Sequence, residues 1–329
     1  MIEPAPKRSI QSLRIVVPLF NDWASLAILL RELDQIAPAL TVKIAITVID
    51  DGSTRGVGSD LSGVRLKNID SAEVIHLSTN LGHQRAIAIG LCAAIEGDSC
   101  DAILVMDADG QDPPQSIVQM LQAAGDSADF CVVARRGKRS ENWAFKFSYV
   151  TYKVLFKLLT GGQIDFGNFC LLSRDYARRL VHIPDLWNNL PAAILRSRLP
   201  IQQISIDRGH RYTGESKMNL TSLVVHGLSG ISVFAETIFV RLLFLTLSLF
   251  FLSGISIGVV STLRIFFPRY ATPGWATTVS FGVAIILVQA LSFTLLLILM
   301  LLNGRVQRLV LPVAEYKYYV RDRQPLLAS

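Results

Sequence analysis

Residues 102–114 read Ala-Ile-Leu-Val-Met-Asp-Ala-Asp-Gly-Gln-Asp-Pro-Pro, an apolar run that stops abruptly on carboxylates and a turn. An apolar run followed at once by Asp107, Asp109, Gln111 and Asp112 describes a buried strand whose C-terminal end opens onto something polar. If Asp107-Ala108-Asp109 is extended, alternation throws both carboxylates to one side. There they can share one cation, and hard oxygen ligands suit Mg²⁺ or Mn²⁺. An Asp-x-Asp alone is a weak signal. Its position at the end of an apolar strand, just before Gly-Gln-Asp-Pro-Pro, gives it weight.

The same pattern recurs on either side. Leu13–Phe20, Ala45–Asp51, Val74–Ser78 and Asp129–Arg136 are further short apolar runs, and Ser25–Ile36, Arg85–Ile95 and Gln115–Ala124 carry helical periodicity between them. Near-continuous Val/Ile runs suit a parallel sheet covered on both faces, and strand–helix alternation predicts a doubly wound α/β domain with a Rossmann-like, mostly parallel sheet. Such sheets bind ligands beyond the carboxyl ends of their strands. Asn21, Asp22, Asp50, Asp51 and Asn80 stand at those ends beside the 107–112 group. Each alone is also a good turn former; together they line one edge with carboxylates and amides. No Gly-x-Gly-x-x-Gly follows the first strand and no Gly-x-x-x-x-Gly-Lys-Ser/Thr occurs, which disfavours a dinucleotide fold and a P-loop NTPase.

With 51% hydrophobic and only 18% charged residues in 329, the chain carries more apolar content than a soluble enzyme needs. The excess is concentrated: Leu242–Leu263 and Trp275–Leu302 contain no charged residue. A hydrocarbon core about 30 Å thick takes roughly 20 helical residues to cross, so both stretches predict membrane spans. Arg208, Arg211, Lys217 and Arg241 precede the first; Arg305, Arg308, Lys317, Arg321 and Arg323 follow the second; the connecting loop offers only Arg264 and Arg269. That bias predicts an integral membrane protein with its catalytic part and both termini cytoplasmic. No signal-peptide pattern is expected at the start, where the apolar run Ile15–Phe20 is short. The expected organisation is a catalytic domain over 1–219, a juxtamembrane segment over 220–240, two spans within 241–304 and a tail over 305–329. Leu220–Val240 reads either as an interfacial helix or as the last helix of the soluble domain, and Tyr316–Tyr319 with its basic neighbours resembles an interfacial anchor. The net charge of +6 sits beside the apolar stretches, so nucleic acid is not an expected partner. The four cysteines lie singly, as reduced structural thiols do.

Six blocks now carry a resemblance: Val16–Asp22, Val48–Thr54, Asn80–Ala86, Asp107–Pro114, Arg135–Lys146 and Arg208–Asn219. In that order they resemble the family-2 glycosyltransferases of GT-A fold, in particular polyisoprenyl-phosphate glycosyltransferases. The resemblance implies inverting transfer of a sugar from a nucleotide-diphosphate sugar to a polyprenyl phosphate of undecaprenyl or dolichyl type, with Mg²⁺ or Mn²⁺, at the cytoplasmic face of a membrane, the bacterial inner membrane being the expected one. Pro18, Phe20, Asp22 and Asp51 would line the nucleotide, with Asp50 supporting their loop. Asp107, Asp109 and Gln111 would lie on the metal and diphosphate. Arg135 would meet the acceptor phosphate, with Lys146, Arg208 and Lys217 as further phosphate contacts. Resembling proteins often form homo-oligomers.

Departures from the family pattern fall in Asp165-Phe166-Gly167-Asn168-Phe169-Cys170, where an aspartate has become Asn168 and an arginine Cys170. Phe147 likewise stands where an arginine is expected. Asn168 cannot act as a general base, which leaves the acceptor-side role to Asp165 or to no base at all. A phosphate monoester, with a second pKa of about 6, is already anionic near neutral pH and needs none. The alternatives are transfer to a lipid hydroxyl, a catalytically silent membrane scaffold and a processive polysaccharide synthase. The last is disfavoured because Trp187 follows Leu186, not the arginine of a Gln-x-x-Arg-Trp block, and because only two spans are present.

Overall fold

The computed structural model describes residues 9–56, 61, 63–97, 100–136, 154, 156–162, 164–213, 227–266, 274–306 and 309–326. The chain divides into two units, one holding the sheet and the other spanning 154–162 and 234–308.

The first unit is built on eight strands: β1 (Ser12–Leu19), β2 (Lys43–Asp50), β3 (Ser71–Leu77), β4 (Ala102–Val105), β5 (Cys131–Arg136), β6 (Phe166–Ser173), β7 (Gln202–Ile206) and β8 (Val320–Pro325). They form one sheet in the order β7-β5-β6-β4-β1-β2-β3-β8. β3, β2, β1 and β4 run parallel, as their Val/Ile content predicts. β6 enters antiparallel between β4 and β5, and β8 closes the far edge antiparallel to β3. The fifth apolar run is therefore a strand, but not the neighbour of the fourth.

Both faces are covered, which is why the central strands tolerate apolar residues at every position. One face packs under α1 (Trp23–Leu40) and α3 (Ile117–Ala124), the other under α2 (His83–Glu96), α4 (Arg174–Leu180) and α5 (Leu190–Ser197). α2 lies close on β1 and β2 because Gly90 carries no side chain; a Cβ there would collide with Val16 Cγ1 and reach Ile49 Cγ1 at 3.0 Å. The four cysteines are all fully or nearly buried in this core and unpaired.

After the second apolar stretch the chain returns to the sheet domain. A short helix α8 (Pro312–Glu315) and a 3-10 turn (Tyr316–Tyr319) lead into β8. Tyr316 is completely buried, its hydroxyl donating to Glu96 Oε2 at 2.9 Å, while Lys317 pairs with Glu96 at 2.6 Å. The aromatic and basic residues read as an interfacial anchor thus include a core side chain of the sheet domain.

The second unit contains two long apolar helices, α6 (Ala235–Phe266) and α7 (Trp275–Val306). Each has 32 residues, about 48 Å at 1.5 Å per residue, enough to cross a bilayer. Most of their large apolar side chains are exposed and very few are buried, so they are candidate membrane spans and not core helices. The last six residues of the 220–240 segment belong to the same helix as the first span, and residues 220–226 lie outside the described ones. Thr246 and Thr294 hydroxyls meet at 3.0 Å between the two helices.

Candidate active site

Parallel pairing in register brings Leu19 beside Asp50 and Asp50 beside His76, so the chain leaves β1, β2 and β3 at one edge. The loop after β1 and the turn after β2 are sewn together. Asn21, at φ +52°, donates its backbone N–H to Ser53 Oγ at 2.8 Å, and its carbonyl oxygen Oδ1 accepts from the amides of Thr54 and Arg55, each at 3.0 Å. Of the residues expected to line the nucleotide, Pro18 is buried inside β1 and Phe20 is 42% exposed at its end. Asp22 is half-buried, within 3.5 Å of the Thr213 hydroxyl. Asp50 is buried and accepts from Ser53 N–H at 3.0 Å. Asp51, also buried, accepts from the amides of Leu81 and Gly82 at 2.7 and 2.9 Å, just ahead of α2. Burial pushes Asp51 above the usual carboxylate range, although those two amides pull the other way. Asn80 is exposed.

β4 ends at Val105, so Asp107 and Asp109 stand in the following loop and turn, not in an extended strand. Alternation is therefore not what gathers them. Asp112 does much of that work: almost fully buried, it accepts the Asp107 N–H at 3.0 Å and closes the loop on itself. Asp109 Oδ1 accepts the Gln111 N–H at 3.0 Å. Burial and the neighbouring Asp107 charge push Asp109 above its ordinary pKa, against the Gln111 amide and the charges of Arg211 and Arg208. Two carboxylates that repel each other in a partly dry loop, both oxygen donors, fit a divalent cation. Among the described residues no group of three His, Cys, Asp or Glu side chains stands ready as a complete cage, so further ligands would have to come from elsewhere.

Each carboxylate faces a basic side chain from another element, His83 for Asp107 and Arg211 for Asp109. His83 Nε2 lies 3.2 Å from Asp107 Oδ1, and Arg211 Nη1 lies 3.5 Å from Asp109 Oδ2. Removal from water works against a charge on His83, but Asp107, Asp51 and Asp112 outweigh it and raise its pKa above the ordinary value. Arg211 arrives on the segment that follows β7, which crosses the Asp-x-Asp loop: Gly209 N–H donates to the Gln111 carbonyl at 3.1 Å and Tyr212 N–H to that of Asp109 at 2.9 Å. Gly110, at φ +85°, makes room for this crossing; a Cβ would come within 2.8 Å of the His210 carbonyl and of the Tyr212 ring. Tyr212 in turn donates its hydroxyl to Glu32 Oε2 at 2.8 Å, and Thr213 meets the buried Ser25 hydroxyl at 2.6 Å, which anchors the segment on α1. Arg208 is exposed beside it.

On the acceptor side expected from the sequence, Arg135 is exposed near the end of β5, in register with Phe166, and half-buried Asp165 immediately precedes β6. Lys146, Phe147 and Lys217 lie outside the described residues. Asn168 faces α2: its Oδ1 accepts from Gln84 Nε2 at 3.0 Å and its Nδ2 stands 3.0 Å from His83 Nε2. Gln84 Oε1 accepts the Leu190 N–H at 2.8 Å. Cys170 is fully buried beneath this network, where burial raises its pKa strongly. A cation in its place would have no water; the cysteine there fills core.

Residues 14–181 match the family described as Glycosyl transferase family 2. Over 271 residues, 80% of each chain, the protein is 27% identical to the undecaprenyl-phosphate 4-deoxy-4-formamido-L-arabinose transferase of Yersinia enterocolitica. It is also 25% identical to an uncharacterized glycosyltransferase of Synechocystis sp. over 225 residues, 68% of this chain and 69% of that one. Among solved structures, the glucosyl-3-phosphoglycerate synthase of Mycobacterium tuberculosis, crystallised with Mn²⁺, uridine diphosphate and phosphoglyceric acid, superposes with a TM-score of 0.50 at 16% identity, covering 69% of this chain and 78% of that one. At that identity the likeness speaks for the fold, a GT-A-like mixed sheet flanked by helices. With the family match spanning half its length, the chain belongs to glycosyl transferase family 2.

Proposed function

We propose that the protein transfers a sugar, with inversion, from a nucleoside-diphosphate sugar to a polyisoprenyl phosphate at the cytoplasmic face of a membrane. The observation that carries this reading is the Asp107–Asp109 loop at the strand ends, with Arg211 3.5 Å from Asp109. Carboxylates for a cation and a guanidinium for phosphate stand within one small region, as a leaving diphosphate requires. The similarity to a transferase named for undecaprenyl phosphate supports a phosphate-bearing lipid acceptor. Two apolar helices support it as well: an acceptor with a long isoprenoid tail stays in the bilayer, so its enzyme has to work there. The excess of basic residues flanking those helices supports a cytoplasmic catalytic domain and cytoplasmic termini.

In this reading Phe20, Asp22 and Asp51 bind the nucleoside, and Asp50 holds the turn beneath them. Asp107 and Asp109, with Gln111 nearby, hold Mg²⁺ or Mn²⁺. When bound, such an ion neutralises the charge that builds on the departing diphosphate. Arg211 and Arg208 offer their guanidinium groups to the same oxygens. Arg135, with Lys146 and Lys217, receives the acceptor phosphate in the forked or point-charge contacts these side chains make. One acceptor phosphate oxygen attacks the anomeric carbon from the face opposite the leaving group. A carbon–oxygen bond to the lipid phosphate forms as the bond to the nucleoside diphosphate breaks, so configuration inverts. The nucleophile is already an anion, so Asn168 is compatible with turnover, and positioning carries the rate.

Purified protein in detergent, given undecaprenyl phosphate, Mn²⁺ or Mg²⁺ and a panel of radiolabelled nucleotide sugars, tests the reading. Label should pass to the lipid fraction from one donor and stop on adding EDTA. Binding of a donor without transfer to any polyprenyl phosphate would contradict the proposed acceptor.

A further inference from the structure

The last strand of the sheet reaches the site through one buried histidine. β8 pairs with β3 so that Asp322 lies in register with His76, and the ladder shifts immediately afterwards, between His76 and Leu77, at the edge where the loops begin. His76 and Asp50 are 7% and 5% exposed. The imidazole stands between two carboxylates: Nδ1 lies 2.7 Å from Asp50 Oδ2, and Nε2 lies 3.9 Å from Asp322 Oδ1, beyond direct hydrogen-bond reach. Asp322 is itself held by Arg321 Nε at 2.9 Å and Gln324 Nε2 at 3.4 Å. On the other side, Asp50 Oδ1 accepts the Ser53 N–H, and the Ser53 hydroxyl accepts the Asn21 N–H. Trp23 Nε1 donates to the Arg55 carbonyl at 3.0 Å, which ties the same turn to the start of α1.

We infer that the C-terminal strand is a working part of the donor site: Asp322, through His76 and Asp50, positions the turn 50–55 that carries Asp51 and braces the loop of Phe20 and Asp22. The inference rests on the nucleotide-sugar reading above. A strand that merely closed the sheet would need only backbone pairing and apolar contacts. The 2.7 Å contact with Asp50 satisfies the buried imidazole and fixes its orientation at the same time. Removing water from this pair leaves the ring few orientations, and the one it takes aims Nδ1 at the carboxylate that holds the turn. His76 and Asp322 are positioning residues; neither touches substrate in this account.

The test measures binding of UDP, GDP, CDP and dTDP in the presence of Mn²⁺ to the full-length protein in detergent, with donor KM and kcat for transfer. His76→Ala should weaken the preferred nucleotide about tenfold, the scale of a lost hydrogen bond to a charged group. Asp322→Asn should weaken it about two- to threefold, the small scale of a partly exposed charge removed 3.9 Å from the ring. Donor KM should rise in step while kcat and acceptor KM hold. His76→Asn, whose amide nitrogen falls near the position of Nδ1, should restore most of the affinity. On that background Asp322→Asn should add nothing, because the shorter side chain does not reach β8. Amide exchange at Gly52 and Ser53 should quicken in Asp322→Asn. Should His76→Ala not fold, Asp322→Asn still decides. Wild-type affinity and wild-type exchange in Asp322→Asn, or a fall in Tm with kcat and KM moving together and no rescue by His76→Asn, would overturn the inference and leave the donor reading standing. No binding of any of the four nucleotides by the wild-type protein would overturn both.

Discussion

His83 Nε2 stands 3.2 Å from Asp107 Oδ1 and, at the same time, 3.0 Å from the Asn168 amide nitrogen. The orientation of that amide is dictated from a distance. The Leu190 backbone N–H can only donate, so Gln84 turns its oxygen to Leu190 and its nitrogen to Asn168. Asn168 then turns its oxygen to Gln84 and presents its NH₂ to His83. One imidazole nitrogen cannot accept from Asn168 and donate to Asp107 together. An aspartate at 168 would accept from both neighbours, so the departure from the family pattern alters what His83 can do beside the Asp-x-Asp loop.

Asn168→Asp separates two accounts of that departure. A general base contributes about 10²- to 10⁴-fold to a rate, so restoring a carboxylate should accelerate transfer by that much if a base is missing. With an acceptor that is already anionic, the initial rate should change by less than about tenfold. Steady-state rates at saturating donor and acceptor check this.

Asp109→Asn should abolish transfer and metal-dependent nucleotide binding without harming the fold. The Asn oxygen can still accept the Gln111 N–H, and a repelling charge beside Asp107 disappears. Its Tm should stay within about 2 °C of the wild type, or rise. Thermal unfolding followed beside the transfer rate shows whether the two separate as expected.

Gly110→Ala should cripple activity more than stability. The left-handed backbone costs a side chain about 1–2 kcal/mol, and the new Cβ would press on the His210 carbonyl and the Tyr212 ring, displacing the segment that delivers Arg211. A drop in kcat/KM of at least about tenfold with retained sheet content by circular dichroism is expected.

The cysteines should be silent in the native protein. Cys92, Cys100, Cys131 and Cys170 are buried, and burial raises every one of their pKa values, that of Cys131 to about 12. At pH 8 a thiol of that pKa is thiolate to about one part in ten thousand. Ellman's reagent should register no thiol before unfolding and all four after it, with no change in activity on exposure of the native protein.

The sequence showed the parallel half of the sheet plainly. β1 to β4 and the three helices between and after them follow from apolar runs and helical periodicity, and the strand-end carboxylates follow from the topology of such sheets. The remaining strands were harder to see. β6 carries Gly167 and Asn168 among its apolar residues, β7 is Gln-Gln-Ile-Ser-Ile with one buried position, and β8 is Val-Arg-Asp-Arg-Gln-Pro, an edge strand with one exposed face. Their pairing is settled by partners far along the chain, which periodicity does not report. In the sequence Arg211 is one of several basic residues ahead of a span, and its contact with Asp109 exists only once residues 207–213 cross the loop. His83 lies in the Asn80–Ala86 motif, but nothing local says that α2 begins opposite Asp107. Asp107 and Asp109 do face one region, but a turn closed by Asp112 gathers them, not the alternation of an extended strand.

The central claim is that a phosphate oxygen of an isoprenoid lipid receives the sugar, and the chemistry of the product tests it most directly. Undecaprenyl phosphate and undecaprenol should be supplied in parallel with the active labelled donor, and the lipid product exposed to mild acid. The account predicts label only with the phosphate, in a product from which mild acid releases the sugar, and none with Asp109→Asn. An acid-stable glycoside formed from the free alcohol would contradict it.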